Sequence, residues 1–353
     1  MTSQQMAYME ESRGPLVQGV MWTMAIVPLF FVCIRLYVRV FLKRVFGWDD
    51  FIIFIAISLL IAYAAVCHVA THLGLGKHLI VVEENPNNLM SVALLCDIGE
   101  VLAIMACTLG KTSFAVTLMR IVVKRWMLVL LWFVIITMNL VNTLTAFFVF
   151  LQCKDPRHLW NPMIPSKCWP ADVFTNYSLF VGAYSGAQDF VLALLPWTIV
   201  WNLQMKKKEK FGVAFAMSLG VFAGAAAIVK TTYLVALSAR SDFTWELAPL
   251  LYWAAVEDGL AITAASIPAL KPLLVSIFPS STGENYNMIS YPLKLPGKKI
   301  FDPSQGETQT DIGHESLRGT ESQTAIIESQ SLGKEGESIN LRTEVSVMYT
   351  RSP

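Results

Sequence analysis

Seven apolar runs, each long enough to cross a bilayer and each bounded by charged or polar residues, fill most of this 353-residue chain. A backbone inside hydrocarbon finds no water to bond, so each run must satisfy its own N–H and C=O groups, and about 20 residues of helix do so across the core. The runs fall at 16–41, 50–71, 89–119, 127–151, 173–203, 211–238 and 246–277. The third, fifth and seventh exceed the hydrocarbon thickness and must tilt, kink or protrude. The pattern predicts an all-α integral membrane protein, a seven-transmembrane helix bundle, rather than two soluble domains. Charge distribution agrees: only 15% of residues are charged, and 17 of the 53 charged side chains lie in the last 75 residues. A net charge of +1 argues against a basic nucleic-acid binder.

The breaks between runs carry orientation, because Lys and Arg accumulate on the cytoplasmic side. One set of breaks holds Lys43, Arg44, Arg120, Lys124, Arg125, Lys206, Lys207, Lys208, Lys210 and Lys271. The other set holds Lys77, Lys154, Arg157, Lys167 and Arg240. This places the N-terminus outside and predicts a short extracellular segment at 1–15, a membrane domain at 16–278 and a cytoplasmic tail at 279–353. The polar N-terminal stretch has no basic flank and no small-residue cleavage site, so the first helix serves as the anchor. The tail has 18 Ser or Thr and no sustained apolar period, which predicts disorder. A multi-pass protein of the plasma membrane is expected.

The six cysteines are too few for a disulfide scaffold. Cys153 and Cys168 share the longest exterior loop, where oxidation is permitted, and a bridge between them would be worth about 3 kcal/mol on the chain-entropy model. Cys96, near the outer end of the third helix, is the rival partner. Cys33, Cys67 and Cys107 read as small apolar packers.

Ionisable groups at membrane depth normally face the bundle interior or a wet cavity, and they are the candidate functional residues here. They are Asp97, Glu100, Lys111, Asp189, Lys230, Glu257 and Asp258. At 1.5 Å rise per residue, Lys111 lies ~14 Å above Arg120, Glu257 ~21 Å above Lys271 and Asp189 ~25 Å above Lys206, so these three can meet near mid-membrane. Two readings fit them, a structural charge network and a ligand site. Lys230, about 30 Å above Lys210, and the Asp97/Glu100 pair should occupy the outer half and open toward the exterior.

Several phrases at the segment ends carry a resemblance. They are Gly47-Trp48-Asp49-Asp50, Gly74-Leu75-Gly76-Lys77-His78, Lys111-Thr112-Ser113 and Met119-Arg120-Ile121. After them come Gln152-Cys153 with Trp160 and Cys168, Asp189 leading to Leu195-Pro196, and Trp253 and Glu257 leading to Pro268-Ala269-Leu270-Lys271-Pro272. In this order they resemble the fungal rhodopsin-like seven-transmembrane family, the Pth-eleven-type receptor-like proteins, over about Arg35 to Leu274. The resemblance implies a receptor-like seven-helix protein, with some relatives in secondary-metabolite gene clusters.

Read physically, Asp49 and Asp50 open the second helix, where carboxylates cap free N–H groups and meet the positive end of the helix dipole. Arg39, Lys43 and Arg44 are possible partners on the same side. With Arg120, the two aspartates are the candidates for a cytoplasmic coupling contact. Met119-Arg120-Ile121 lacks the acidic neighbour of an Asp-Arg-Tyr motif, and the seventh helix lacks Asn-Pro-x-x-Tyr. Pro196 and Pro268 should kink the fifth and seventh helices near their inner ends. Gly220 and Gly224 should allow close helix packing within the chain. Trp22, Trp48, Trp126, Trp160, Trp169, Trp201 and Trp245 suit interfacial belts. His78 reads as a loop residue, and no metal-ligand set is evident.

A receptor for an unknown small-molecule or surface cue is the leading expectation, with a heterotrimeric G protein or another cytoplasmic effector as partner. The alternatives are a transporter or channel, or a membrane component of a secondary-metabolite pathway. No HExxH, GxSxG, Walker A or dinucleotide glycine motif is present, so no enzyme is expected. Retinal is not expected either: a Schiff base needs a lysine deep in the last helix, and Glu257 and Asp258 occupy that depth.

Overall fold

A computed structural model describes residues 8, 11–42, 44, 46–120, 122, 124–202, 207–238 and 242–270, all within the compact unit Met1–Glu284. The tail expected to be disordered at 279–353 lies outside the described residues, as do Lys43, Lys206, Arg240 and Lys271. The described residues form seven long helices: α1 Gly14–Tyr37, α2 Trp48–Leu73, α3 Pro86–Met119, α4 Arg125–Leu151, α5 Ala171–Asn202, α6 Lys207–Ser238 and α7 Phe243–Ser266. Each contains a segment long and apolar enough to span a membrane. The chain is thus a multi-pass, seven-helix membrane protein, with helix ends within about four residues of those read from hydropathy except at the end of the seventh run, where 271–277 lie outside the described residues.

Helix boundaries follow local chemistry. Pro15 and Pro86 sit in the first turns of α1 and α3, where no N–H partner is needed. At the start of α2 the Asp50 carboxylate accepts the Gly47 N–H at 3.1 Å, a helix cap. α2 ends at Gly74, with φ of 126°, and the turn continues through Gly76, with φ of 84°; both values favour glycine. α1 continues as a π-helical turn over Val38–Leu42, and α7 tightens to a 3₁₀ turn over Ile267–Leu270, which contains Pro268. Pro196 lies inside α5, which runs on to Asn202.

Neighbours in sequence pack side by side, α1 also packs on α7, and α3 crosses the middle to meet α7. α4 shows how the sequence distributes its faces. Val129, Phe133, Ile136, Leu140, Phe147 and Leu151 are exposed, whereas Met127, Leu131, Val134, Met138, Asn142 and Val149 are buried. The two sets interleave at helical spacing, which gives one lipid-facing stripe and one core-facing stripe. α7 differs: 72% of its most apolar window is buried, against 28% for α1 and for α4. A helix enclosed by protein on most sides can carry Glu257, because neighbouring side chains can compensate its charge.

Gly220 and Gly224 bring α6 against α5. A Cβ on Gly220 would lie 2.9 Å from that of Ala193, and one on Gly224 would lie 3.1 Å from the Phe190 ring. The small-residue pair therefore serves packing within the chain. In the loop between α4 and α5, Cys153 and Cys168 form a disulfide, while Cys96 is a buried free thiol.

Candidate functional site

The charged residues placed at membrane depth by sequence converge on one another. Lys111 of α3 donates through Nζ to Ser185 Oγ at 2.7 Å, Glu257 Oε1 at 2.8 Å and Asp189 Oδ2 at 2.9 Å. Ser185 Oγ–H donates to the same Glu257 oxygen at 2.8 Å. Lys230 of α6 pairs with the other oxygen, Glu257 Oε2. Two ammonium groups and two carboxylates thus tie α3, α5, α6 and α7 together, with Lys111, Asp189 and Glu257 all buried. The mid-membrane meeting of Lys111, Asp189 and Glu257 is as expected from helix rise. Lys230, placed by the sequence in the outer half, reaches the network by its long side chain, which carries the ammonium to Glu257, because an unpaired charge in hydrocarbon is costly.

A cavity of about 100 Å³ adjoins this network on the side away from Arg120. Lys230 and Ser185 line it and touch Glu257, so cavity and network share atoms. Glu100 and Asp258 also line it, with Tyr63, Asn142, Thr145, Ser178 and Thr231 among aliphatic residues. Asp258 Oδ2 and Ser178 Oγ are buried without a hydrogen-bond partner. Asp97, paired with Glu100 in the sequence, does not line the cavity; it is half-buried, and its Oδ2 also lacks a partner.

At the end of the bundle that carries Arg120 lies a second buried charge cluster. Arg35 of α1 donates through Nε to Asp50 Oδ1 at 2.9 Å, and through Nη2 to Asp49 Oδ2 at 2.6 Å and Thr117 Oγ1 at 3.1 Å. Its Nη1 donates to the Ala265 carbonyl of α7. Arg39 approaches Asp49 at 3.3 Å, and Arg120 of α3 pairs with the remaining Asp49 oxygen. Asp50 is therefore both helix cap and ion-pair partner. Gly47 leaves the space that Arg120 occupies, since a Cβ there would collide with its guanidinium.

Arg35 was the residue that sequence reasoning missed, and Arg39 is only an outer partner; Arg44 is exposed. A signal existed: Arg35 sits well inside the first apolar run, four residues before Arg39 on the same helical face, and a cation at that depth demands a carboxylate. A smaller cluster lies at the opposite end. His78, a loop residue as expected, stacks between Tyr8 and Trp245, and its Nδ1 lies 2.6 Å from Asp242 Oδ2. Trp245, in the first turn of α7, also lies under the Arg13 guanidinium. Trp48 and Trp126 are exposed.

Comparison with known proteins adds two findings. The model of the fungal rhodopsin domain family matches residues 34–276, which include every residue of both charge clusters. Fugralins biosynthesis cluster protein 2 of Gibberella zeae is 28% identical over 134 residues, covering 38% of this chain and 33% of that protein. The chain thus spans about a third of the length of this curated relative. No solved structure matches.

Proposed function

Because the chain belongs to the fungal rhodopsin domain family, we propose that it is a receptor of the plasma membrane that binds an external small-molecule or surface cue and signals through its basic end. The observation that carries this reading is the continuity between cavity and network: Lys230 and Ser185 face the cavity and hold Glu257. A ligand that enters beside Lys230 changes how Glu257 is shared between α3, α5 and α6. Glu257 and Ala265 lie on one helix, about 12 Å apart by rise. The Ala265 carbonyl is held by Arg35, so a movement of α7 bears on the Asp49/Asp50 cluster. Both ends bias the same element, which is what coupling between two sites requires.

A heterotrimeric G protein is the proposed cytoplasmic partner, facing the loops that carry the excess of Lys and Arg. The test uses membranes containing the full chain, a fungal heterotrimeric G protein and a nucleotide-exchange readout. Asp49→Asn, which loosens the basic-end cluster, should raise exchange above the wild-type level. Exchange equal to that of empty membranes for both wild type and Asp49→Asn would remove the G-protein role.

The proposed receptor uses no retinal and no catalytic step. Schiff-base formation needs an amine free to condense, whereas Lys111 is bonded to Ser185, Asp189 and Glu257, and Lys230 to Glu257. A second reading, a membrane component of a secondary-metabolite pathway, is supported by the partial likeness to the fugralins cluster protein. Loss of one metabolite on Glu257→Gln, with protein level preserved, would favour it; solute flux in reconstituted vesicles would instead favour a transporter.

A further inference from the structure

We infer that the cavity between α3, α5, α6 and α7 is a site for a small organic ammonium ion, a compact amine with an apolar body; this deepens the receptor reading and rests on it. Charge balance is the first ground. Lys111 and Lys230 are matched by Asp189 and Glu257. Glu100 and Asp258, which face the cavity, are then left over. Among the described residues the other buried cations, Arg35 and Arg39, are already paired with Asp49 and Asp50 at the far end.

The second ground is an acceptor without a donor. Asp258 is 2% exposed and lines the cavity, yet its Oδ2 has no hydrogen-bond partner; Ser178 Oγ on the same wall is also unpartnered. Buried polar atoms are nearly always satisfied, so each such orphan calls for a donor that the fold itself does not provide. An ammonium group supplies up to three N–H donors together with the missing positive charge.

The wall selects an organic cation over a metal ion. Ile104, Val181, Leu234, Leu250 and Leu251 give the cavity an apolar lining that suits a hydrocarbon body. Among the described residues no three His, Cys, Asp or Glu side chains are placed to hold a metal ion. At roughly 10–15 Å³ for each water-sized occupant, a cavity of about 100 Å³ admits a compact amine and not an extended ring system.

The test is thermal melting of the full chain in lipid nanodiscs with 2-phenylethylammonium, the neutral 2-phenylethanol, the anionic phenylacetate, or sodium chloride alone. The ammonium compound should raise the melting temperature saturably and the other three should not. Asp258→Asn and Glu100→Gln should each weaken the ammonium response by about tenfold or more; should Asp258→Asn fail to fold, Glu100→Gln decides. Equal stabilisation by the alcohol, stabilisation by sodium alone, or no shift with any probe overturns the amine assignment. An undiminished ammonium response in Ala254→Phe, which fills the cavity, places binding elsewhere and overturns it too. Ammonium binding that passes these tests but leaves nucleotide exchange unchanged would defeat the receptor reading and leave the amine site standing.

Discussion

Lys111 Nζ lies 2.8 Å from Glu257 Oε1, a pair 146 residues apart in sequence and closed off from solvent. With Asp189 and Lys230 it makes a neutral set of two positive and two negative charges. Breaking a buried pair leaves an uncompensated charge, whereas removing a matched pair does not. Lys111→Met should therefore cost about 3–5 kcal/mol, and adding Asp189→Asn should return more than half of that loss. Equilibrium unfolding in mixed micelles reads both. A double variant no more stable than Lys111→Met would show that packing, not charge balance, is what Lys111 supplies.

Arg35 reaches four partners through a planar fork: Asp49, Asp50, Thr117 and the Ala265 carbonyl. A lysine ammonium cannot span them. Arg35→Leu should lose about 3–5 kcal/mol, and Arg35→Lys should recover less than half of it. Arg39→Lys should cost less than Arg35→Lys, because Arg39 stands 3.3 Å from Asp49 at the edge of the cluster. The three melting temperatures, taken in the same lipid, give the order.

Gly47→Ala separates stability from contact. The added methyl displaces the Arg120 guanidinium, the mobile end of a side chain that is 38% exposed. The methyl also crowds Oδ1 of the buried Asp49, at 2.5 Å from the Cβ position, so the change should cost about 1–3 kcal/mol. Basal nucleotide exchange should nonetheless move in the same direction as in Asp49→Asn, since both open the contact between Asp49 and Arg120. Unchanged basal exchange despite a lowered melting temperature would mean that the contact between Asp49 and Arg120 does not restrain the basic end.

The Cys153–Cys168 disulfide closes a loop with a sequence separation of 15. Its removal should cost about 3 kcal/mol. Dithiothreitol should lower the melting temperature of the wild type and leave that of a Cys153→Ser/Cys168→Ser variant unchanged. A reductant effect that persists in the variant would implicate one of the four other cysteines.

Gly220→Leu should destabilise by about 1–3 kcal/mol, because its Cβ position is 2.9 Å from the Ala193 Cβ, which has no flexible end to move aside. The monomer content of the detergent-solubilised protein should not change. A shift in oligomeric state without a loss of stability would assign the small-residue pair to a contact between chains.

The sites were legible in the sequence to different depths. Lys111, Asp189 and Glu257 could be brought together from helix rise alone, since depth along a helix is proportional to residue number. Lys230 could not, because four methylenes let its charge sit well away from its Cα. Asp49 and Asp50 were visible as a helix start, but their main partner was not. Arg35 lay hidden in an apolar run, where hydropathy averages over one charge among many aliphatic neighbours. The cavity had no signature: its walls come from distant segments whose side chains meet only after packing.

Hydropathy and charge order by themselves determined that this chain crosses a membrane seven times, because the bilayer acts on each segment separately and reads only its length and polarity. The loop cysteines and the depth of each buried charge were equally local properties. Only the tertiary structure decided how each helix is rotated about its axis and which helices are neighbours. Those two choices placed Arg35 against Asp49 and Asp50, turned Lys230 onto Glu257, and left Asp258 facing an open space. They depend on how all seven surfaces fit at once, and no single segment carries that information.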